Sequence, residues 1–274
     1  MRDTNFKFQL KLFIIFTIFL LIEGFFYYYS QRLSYFCFAE FSFTNKCNGQ
    51  DFYDTDFNFF DKYRTGFNPL IWNESKLVES LQILFLVLTI YHLIKNIILK
   101  NKHKLSKNFL YFMYFYTLGI IYFFLEEISW GQHYLKWETI EILKELNNQG
   151  ETNIHNISNI FDQVPRGILT LWCGFSIFMV KFFKFTKLNK LYINFILPSE
   201  KLKYISLILI IFLLPDLFVD KLNLHPGYSH TYSINLADIL DFFTFNFIRL
   251  SEFQELVFAF YIYQHTLFFN NTLR

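Results

Sequence analysis

Apolar segments of membrane-crossing length recur along the whole chain, and they constrain its fold more than any other feature. They lie near residues 12–29, 77–99, 109–125, 167–183, 202–219 and 252–269. A helix needs about 20 apolar residues to cross the hydrocarbon core of a bilayer, and a helix satisfies its own backbone hydrogen bonds there. The pattern predicts an all-α, polytopic integral membrane protein, with residues 1–274 forming one domain of about six transmembrane helices.

The charges divide between the two ends of these segments. Lys and Arg cluster at both termini and around residues 95–107 and 181–203, whereas acids outnumber bases in the loops 30–75, 126–165 and 220–250. Because basic loops stay on the cytoplasmic side, we expect both termini in the cytoplasm and the acidic loops outside. No small-residue cleavage site follows the first segment, so we expect a retained helix. The expected location is the bacterial inner (plasma) membrane.

The charges and the cysteines of the chain argue against nucleic-acid binding and against a CxxC zinc site. The net charge is +2, and the basic segments are short loops that the topology already explains, so nucleic-acid binding is not expected. The three cysteines, Cys37, Cys47 and Cys173, form no CxxC zinc pattern. A disulfide between Cys37 and Cys47 and two free thiols are both compatible with the spacing.

The stretch from 125 to 156, LEEISWGQHYLKWETIEILKELNNQGETNIHN, is dense in polar groups and follows the third apolar segment directly. Such groups are costly beside a membrane segment and usually have a function. We therefore predict a polar site at the outer face. The expected catalytic residues are Glu126, Glu127 and His155, with Glu255 from the last helix, and the expected binding residues are Trp130, Gln132, His133, Gln149, Glu151, Asn153 and Asn156.

A cluster of carboxylates and imidazoles suits two kinds of chemistry. One is a divalent metal site with an open position for water, and its expected ligands are Glu126, His155, Glu252 and Glu255. The other is metal-free acid–base catalysis by carboxylates in different environments. On an unbroken third helix, Glu126 and His133 would lie about 10 Å apart along the axis. A break at Trp130–Gly131 would change that distance.

Between these polar groups lies an amphipathic pattern. Trp137, Ile140, Leu143 and Leu146 recur at helical spacing among charged residues. This spacing predicts a helix that lies on the membrane surface. Its expected role is an interfacial anchor, with a lid over the polar site as the alternative.

Two strings resemble a known group of sequences. EEISWGQ at 126–132, followed by NNQGETNIHN at 147–156, resembles a signature of uncharacterised bacterial multi-pass membrane proteins. SEFQE at 251–255 resembles an acidic element near the last helix of the same proteins. In those proteins an Arg is expected after EEISWGQ, where this chain has His133. The resemblance implies a polytopic membrane protein and no established activity.

These features predict a membrane-embedded enzyme that acts on a lipid or lipid-linked substrate at the outer leaflet. A metal-dependent hydrolase or transferase is the expected class, and membrane lipid is the expected partner. A transporter is the first alternative, although only Glu23 and His92 lie deep in the apolar segments. The second is a non-enzymatic assembly subunit whose outer loops bind a protein partner.

Overall fold

The computed structural model describes residues 2–40, 69–72, 76–99, 105–139, 141, 152, 159–179, 190–222, 245 and 247–273. Every regular element within these ranges is helical, which confirms the all-α prediction for them. The helices are α1 (Arg2–Glu40), α2 (Pro69–Trp72), α3 (Leu77–Ile98), α4 (Lys107–Glu127), α5 (Gln132–Leu135), α6 (Asn159–Thr170), α7 (Ser176–Met179), α8 (Lys190–Ile196), α9 (Lys203–Leu222) and α10 (Leu250–Thr272). Two 3₁₀ turns, Ser129–Gly131 and Glu200–Leu202, and a π-helical turn, Leu171–Phe175, lie between them.

Membrane-length helices are present. Within the described ranges, three are long and apolar enough to cross a bilayer: Asn5–Tyr27, Leu70–Ile98, which includes the undescribed residues 73–75, and Lys107–Glu127. The chain is therefore a membrane protein by the length and composition of its helices. Six spans, cytoplasmic termini and a bacterial inner membrane stay predictions.

Several helix boundaries differ from the predicted ones. Helix α1 continues to Glu40, well into the predicted outer loop 30–75. The added residues, SQRLSYFCFAE, contain neither Gly nor Pro, and extending a formed helix adds one backbone hydrogen bond per residue. Helix α6 begins at Asn159 inside the predicted loop 126–165. Its polar residues lower its mean hydropathy, so the apolar pattern did not predict this part of the amphipathic helix.

The structure divides into two compact units, and Met1–Asn73 with Phe212–Phe253 forms the first. In this unit α1 buries one narrow face. A Cβ at Gly24 of α1 would lie 2.7 Å from the Phe247 carbonyl oxygen, so only glycine permits this approach of the backbone. The residues buried along that face recur at helical spacing: Phe6, Leu10, Phe13, Thr17 and Leu20.

The second unit comprises Glu74–Ile211 and Gln254–Arg274. Here α3 and α10 run parallel, since Phe85 packs against Phe260 with ring centroids 5.1 Å apart and Asn96 further along contacts Asn270. The Asn96 side-chain amide donates to the Asn270 side-chain oxygen. Hydrogen bonds of this kind join helices in a membrane, where the hydrophobic effect between helices is weak.

Aromatic rings fill the core of the second unit. Phe195 of α8 packs edge-on against Phe109 of α4 and Phe269 of α10, with centroid distances of 5.5 and 4.6 Å. The Phe195 carbonyl oxygen lies 2.7 Å from Nε2 of the buried His265. Edge-to-face geometry is the favourable arrangement for aromatic pairs, so α4, α8 and α10 share one core.

The π-helical turn Leu171–Phe175 is held by a neighbouring helix. Such a turn releases a backbone carbonyl from the regular helical pattern. The Cys173 carbonyl accepts a 2.6 Å hydrogen bond from the Ser206 hydroxyl, which is fully buried on α9. A Cβ at Gly174 would lie 3.6 Å from Leu209, so α9 packs closely against the turn.

Candidate functional site

The end of α4 turns sharply through left-handed backbone. The helix stops at Glu127, and Ser129, Trp130 and Gly131 follow with φ of 45, 56 and 94°. The left-handed conformation costs a non-glycine residue about 1–2 kcal/mol. The break that we considered at Trp130–Gly131 is therefore present, and it turns the chain immediately after the two carboxylates.

Glu126 is buried at this turn and accepts a hydrogen bond from an aromatic side chain. Its side chain is 4% exposed, and Oε1 accepts a 2.7 Å hydrogen bond from the Trp130 indole Nε1. Tyr122, one helical turn earlier, lies beside the same carboxylate. The rings of Tyr122 and Trp130 pack edge-on with centroids 6.5 Å apart. The carboxylate is thus held in one place at the end of a membrane-length helix.

Gln132 connects the chain on both sides of the predicted surface helix. Its amide nitrogen donates to the Thr139 hydroxyl oxygen at 2.7 Å, and Thr139 is buried. Its amide oxygen accepts from the Thr152 backbone nitrogen at 2.8 Å and from the Thr152 hydroxyl at 2.7 Å. Two of these three hydrogen bonds fix residue 152 beside the turn, and the third fixes Thr139.

Trp137 covers the turn. A Cβ at Gly131 would lie 3.5 Å from the Trp137 ring and 3.7 Å from Leu135. The Trp137 indole nitrogen donates to the Thr152 hydroxyl oxygen at 3.3 Å. Lys136, between Leu135 and Trp137, has φ of 54°, so a further left-handed residue bends the chain back over the first turn.

The predicted amphipathic surface helix begins later than expected. Trp137 lies in a stretch, residues 136–139, that has no regular secondary structure, and Glu141 is helical. Trp137 is 42% exposed, as an interfacial tryptophan would be. The other apolar residues of the pattern lie outside the described ranges: Ile140, Leu143 and Leu146.

Glu255 forms an ion pair between two helices of the second unit. Its Oε1 accepts a 2.6 Å hydrogen bond from Nη2 of Arg166, which joins α10 to α6. The side chains are only 17% and 24% exposed. A short, partly buried Arg–carboxylate bond is among the stronger polar contacts in proteins, so Glu255 is engaged as a structural partner.

Glu252 belongs to the first unit, and its ion pair is longer than that of Glu255. Its carboxylate lies 3.5 Å from Nη2 of Arg249, three residues earlier. Arg249 also donates from Nη1 to the Trp72 carbonyl oxygen at 3.5 Å. Glu252 stands in the first turn of α10, where a carboxylate suits the positive end of the helix dipole.

The described carboxylates of the predicted divalent metal site have partners within the protein, and the metal site stays a prediction. Glu126, Glu252 and Glu255 each accept or face a donor within the protein, and two of these donors are guanidinium groups. Within the ranges that the structure describes, no three His, Cys, Asp or Glu side chains are grouped as a metal would require. His155, the fourth predicted ligand, lies outside those ranges.

The functional roles of several residues of the predicted site therefore stay predictions. Glu127 lies at the last residue of α4 and is half-buried. The backbone of His133 is helical in α5, but its side chain lies outside the described atoms. The remaining predicted residues are also outside: Gln149, Glu151, Asn153, His155 and Asn156.

Four contributors to this site were not found from the sequence: Tyr122, Thr139, Thr152 and Arg166. Tyr122 stands four residues before Glu126, so helical spacing was the available signal. Arg166 stands at the start of the predicted fourth helix, on the face where acids predominate. An isolated Arg there is a possible signal of an ion pair, but it does not identify Glu255 as the partner. The threonines carried no signal of their own.

No protein-family model matches the chain, and no curated protein and no solved structure shows significant similarity to it. The resemblance of EEISWGQ and NNQGETNIHN to multi-pass membrane proteins stays a resemblance.

Proposed function

We propose that this protein is a membrane-embedded hydrolase or transferase that acts on a lipid or lipid-linked substrate, with Glu126 as its acid–base group. One observation carries the proposal: the Glu126 carboxylate is buried and held by the Trp130 indole where a membrane-length helix ends in left-handed backbone. Ionisable groups at such positions are costly and are usually retained for function. A positioned carboxylate can transfer a proton to or from a reacting oxygen.

Glu127 supplies the second carboxylate in this proposal. It is half-buried, whereas Glu126 is fully buried. Two carboxylates in different environments can divide the roles of acid and base between them. The polar residues that follow, from Gln149 to Asn156, would bind the polar part of the substrate. The proposal includes the outer face of a bacterial inner membrane, on the distribution of basic residues.

We propose the metal-free form of this chemistry. The metal-dependent form would draw its ligands from Glu126, His155, Glu252 and Glu255, and the last two of these carboxylates contact arginines. A metal ion would have to displace those guanidinium groups and the Trp130 indole. The metal content of the purified protein and the effect of a chelator therefore separate the two forms.

A non-enzymatic assembly subunit is the second candidate, and the Gln132 network favours it. The three hydrogen bonds from Gln132 to Thr139 and Thr152 bind one loop segment to another. In that function, the polar cluster would shape an outer surface for a protein partner. A transporter is favoured by a different observation, the polar residues Gln82, Thr89 and Asn96 on the buried face of α3.

Lipid turnover in vesicles tests the enzymatic proposal. The purified protein is reconstituted into vesicles of a bacterial polar lipid extract, and products are followed by mass spectrometry. We expect a time-dependent product with the wild type, about 100-fold slower formation with Glu126→Gln, and an unchanged rate with added chelator. Glu138→Gln is the matched control, because it makes the same chemical change at an exposed position of the same segment.

Three results would contradict the proposal or its metal-free form. Equal product formation by the wild type and Glu126→Gln would remove Glu126 from the chemistry. Absence of any product from folded wild-type protein, together with a lower unfolding temperature for Glu126→Gln, would support the assembly subunit. About one equivalent of a divalent metal, lost in the Glu126→Gln/His155→Ala double variant, would restore the metal-dependent form.

A further inference from the structure

Two aromatic rings form a corner at the end of α4. The Tyr122 and Trp130 rings have centroids 6.5 Å apart and stand at 71° to each other. The two residues are 38% and 36% exposed, so the rings can be reached from outside the protein. Among the described residues, no Lys or Arg lies over either ring, whereas Lys95 lies over the Tyr91 ring of α3 at 5.7 Å. The corner therefore presents accessible ring faces to a ligand.

The corner lies at the depth of the lipid headgroups. Helix α4 is long and apolar enough to cross a bilayer, and Tyr122 is the sixteenth of its 21 residues. Trp130 follows the end of the helix by three residues. The end of a membrane-length helix lies at the boundary between hydrocarbon and headgroups, where Trp and Tyr are enriched. A lipid that reaches the corner therefore presents its headgroup to the two rings.

The orientation of Trp130 differs from that of a simple interfacial anchor. An anchoring tryptophan keeps its apolar body in the membrane and directs its N–H toward the wet side. The Trp130 N–H is instead donated to the buried Glu126 carboxylate at 2.7 Å. This bond to an anion raises the electron density of the indole ring, and it is the negative face of the ring that attracts a cation. Glu126 thus fixes the ring and strengthens its attraction for a cation.

The charges of the surrounding segment also select a cation. Between residues 126 and 141 the chain carries one lysine, Lys136, and four carboxylates: Glu126, Glu127, Glu138 and Glu141. The field of such a segment attracts cations and repels anions. Headgroups that are only anionic are therefore disfavoured, and a zwitterionic headgroup that ends in an ammonium fits both the rings and the field.

We propose that the Tyr122–Trp130 corner binds the ammonium group of a zwitterionic phospholipid, as in phosphatidylethanolamine. Because the ring centroids are 6.5 Å apart, one cation can lie within about 6 Å of both, the range of cation–π attraction. The lipid then has its headgroup beside the Glu126 carboxylate. This inference rests on the proposed function in taking the bound lipid as the substrate, and it names the substrate class as an ammonium-bearing phospholipid rather than an anionic one.

Binding of two matched lipids tests the headgroup. Dihexanoyl phosphatidylethanolamine and dihexanoyl phosphatidylpropanol have the same chains, and the second carries a methyl group where the first carries the ammonium. Their affinities for the purified protein in a maltoside detergent are compared by calorimetry. We expect phosphatidylethanolamine to bind about fivefold more tightly to the wild type. Free ethanolamine should bind more weakly than the lipid, and an equal affinity would overturn the assignment to a membrane lipid.

Removing one ring of the corner should weaken only the binding of the ammonium. We expect Tyr122→Leu to lower the affinity for phosphatidylethanolamine about threefold and to leave that for phosphatidylpropanol unchanged. Tyr122→Phe keeps the ring and should retain the preference between the two lipids. Tyr111→Leu is the matched control, because Tyr111 is 69% exposed on the same helix and lies about 16 Å along the axis from Tyr122. Gel filtration and the unfolding temperature show which variants are folded.

The failure of this inference differs from the failure of the proposed function. Equal affinity of the wild type for both lipids, or an unchanged preference in folded Tyr122→Leu, would overturn the headgroup site, while lipid turnover could still depend on Glu126. Conversely, a preference for phosphatidylethanolamine in the wild type, together with normal lipid turnover by Glu126→Gln, would overturn the proposed function and leave the headgroup site standing.

Discussion

The left-handed turn after α4 concentrates backbone strain at a few residues. Ser129 and Trp130 in this turn, and Lys136 after α5, adopt positive φ without being glycine, and each costs about 1–2 kcal/mol relative to a right-handed conformation. The hydrogen bonds from Trp130 and Gln132 offset part of this cost. Strained backbone of this kind is most often found at functional sites.

Replacing the glycine of this turn should destabilise the protein. Gly131 has φ of 94°, so we expect Gly131→Ala to lower the free energy of unfolding by about 1 kcal/mol. Gly119→Ala is the matched control, because Gly119 lies inside α4 and nothing stands within 4 Å of an added Cβ. That change should stabilise the helix by about 0.5–1 kcal/mol. Opposite shifts in chemical denaturation would verify both, and a neutral Gly131→Ala would contradict the turn.

Removing the indole donor to Glu126 should also destabilise the protein. Trp130→Phe keeps an aromatic ring but leaves the buried carboxylate without its 2.7 Å donor, and we expect a loss of about 2 kcal/mol. Trp137→Phe removes a longer, exposed bond of 3.3 Å and should cost no more than about 0.5 kcal/mol. Denaturation of both variants in the same detergent makes the comparison, and equal losses would count against the Glu126 contact.

At the scale of elements, the ion pair between α6 and α10 is the clearest long-range contact. Arg166 and Glu255 are separated by 89 residues and meet at 2.6 Å. We expect Arg166→Ala to destabilise by about 2 kcal/mol, since a partly buried carboxylate loses its charged partner. The exchange Arg166→Glu with Glu255→Arg should recover part of the loss, which a double-mutant cycle would measure.

The control for the Arg166–Glu255 ion pair is the Arg249–Glu252 ion pair at the start of α10. Arg249→Ala removes a 3.5 Å ion pair with Glu252, three residues away, and a long hydrogen bond of 3.5 Å to the Trp72 carbonyl oxygen. Such neighbouring pairs contribute about 0.3–0.5 kcal/mol, so the expected loss is small. A larger effect from Arg249→Ala than from Arg166→Ala would reverse our ranking of the two contacts.

The sequence predicted helices such as α3 well, but it predicted only part of the contacts at the candidate site. The apolar run at 77–99 agreed with α3, Leu77–Ile98, because membrane helices are marked by composition alone. The contact of Glu126 with Trp130 lay within one string of residues that the sequence had marked. The pairing of Arg166 with Glu255 could not be derived, because it depends on how α6 packs against α10. Nothing in Ser129 or Trp130 signals positive φ, and only Gly131 pointed to the break.

At the scale of the whole molecule, the distribution of basic residues makes a prediction about topology. We expect the loop 126–165 outside and the loop around 181–203 in the cytoplasm. In a background with Cys37, Cys47 and Cys173 replaced, Asn148→Cys should react with a membrane-impermeant maleimide in intact cells. Asn189→Cys should react only after permeabilisation. The opposite pattern would invert the orientation, and labelling of both in intact cells would contradict the number of spans between them.

The length of α1 has a mechanical consequence. Its 39 residues form a continuous helix of about 58 Å, nearly twice the thickness of a hydrocarbon core of about 30 Å. The apolar portion ends at Tyr27, so the 13 residues from 28 to 40 extend about 20 Å further along the same axis. Because α1 is one continuous helix, a movement of one end is transmitted to the other. A push at residue 40 would tilt the membrane portion, and a change in bilayer thickness that alters its tilt would move the end at residue 40.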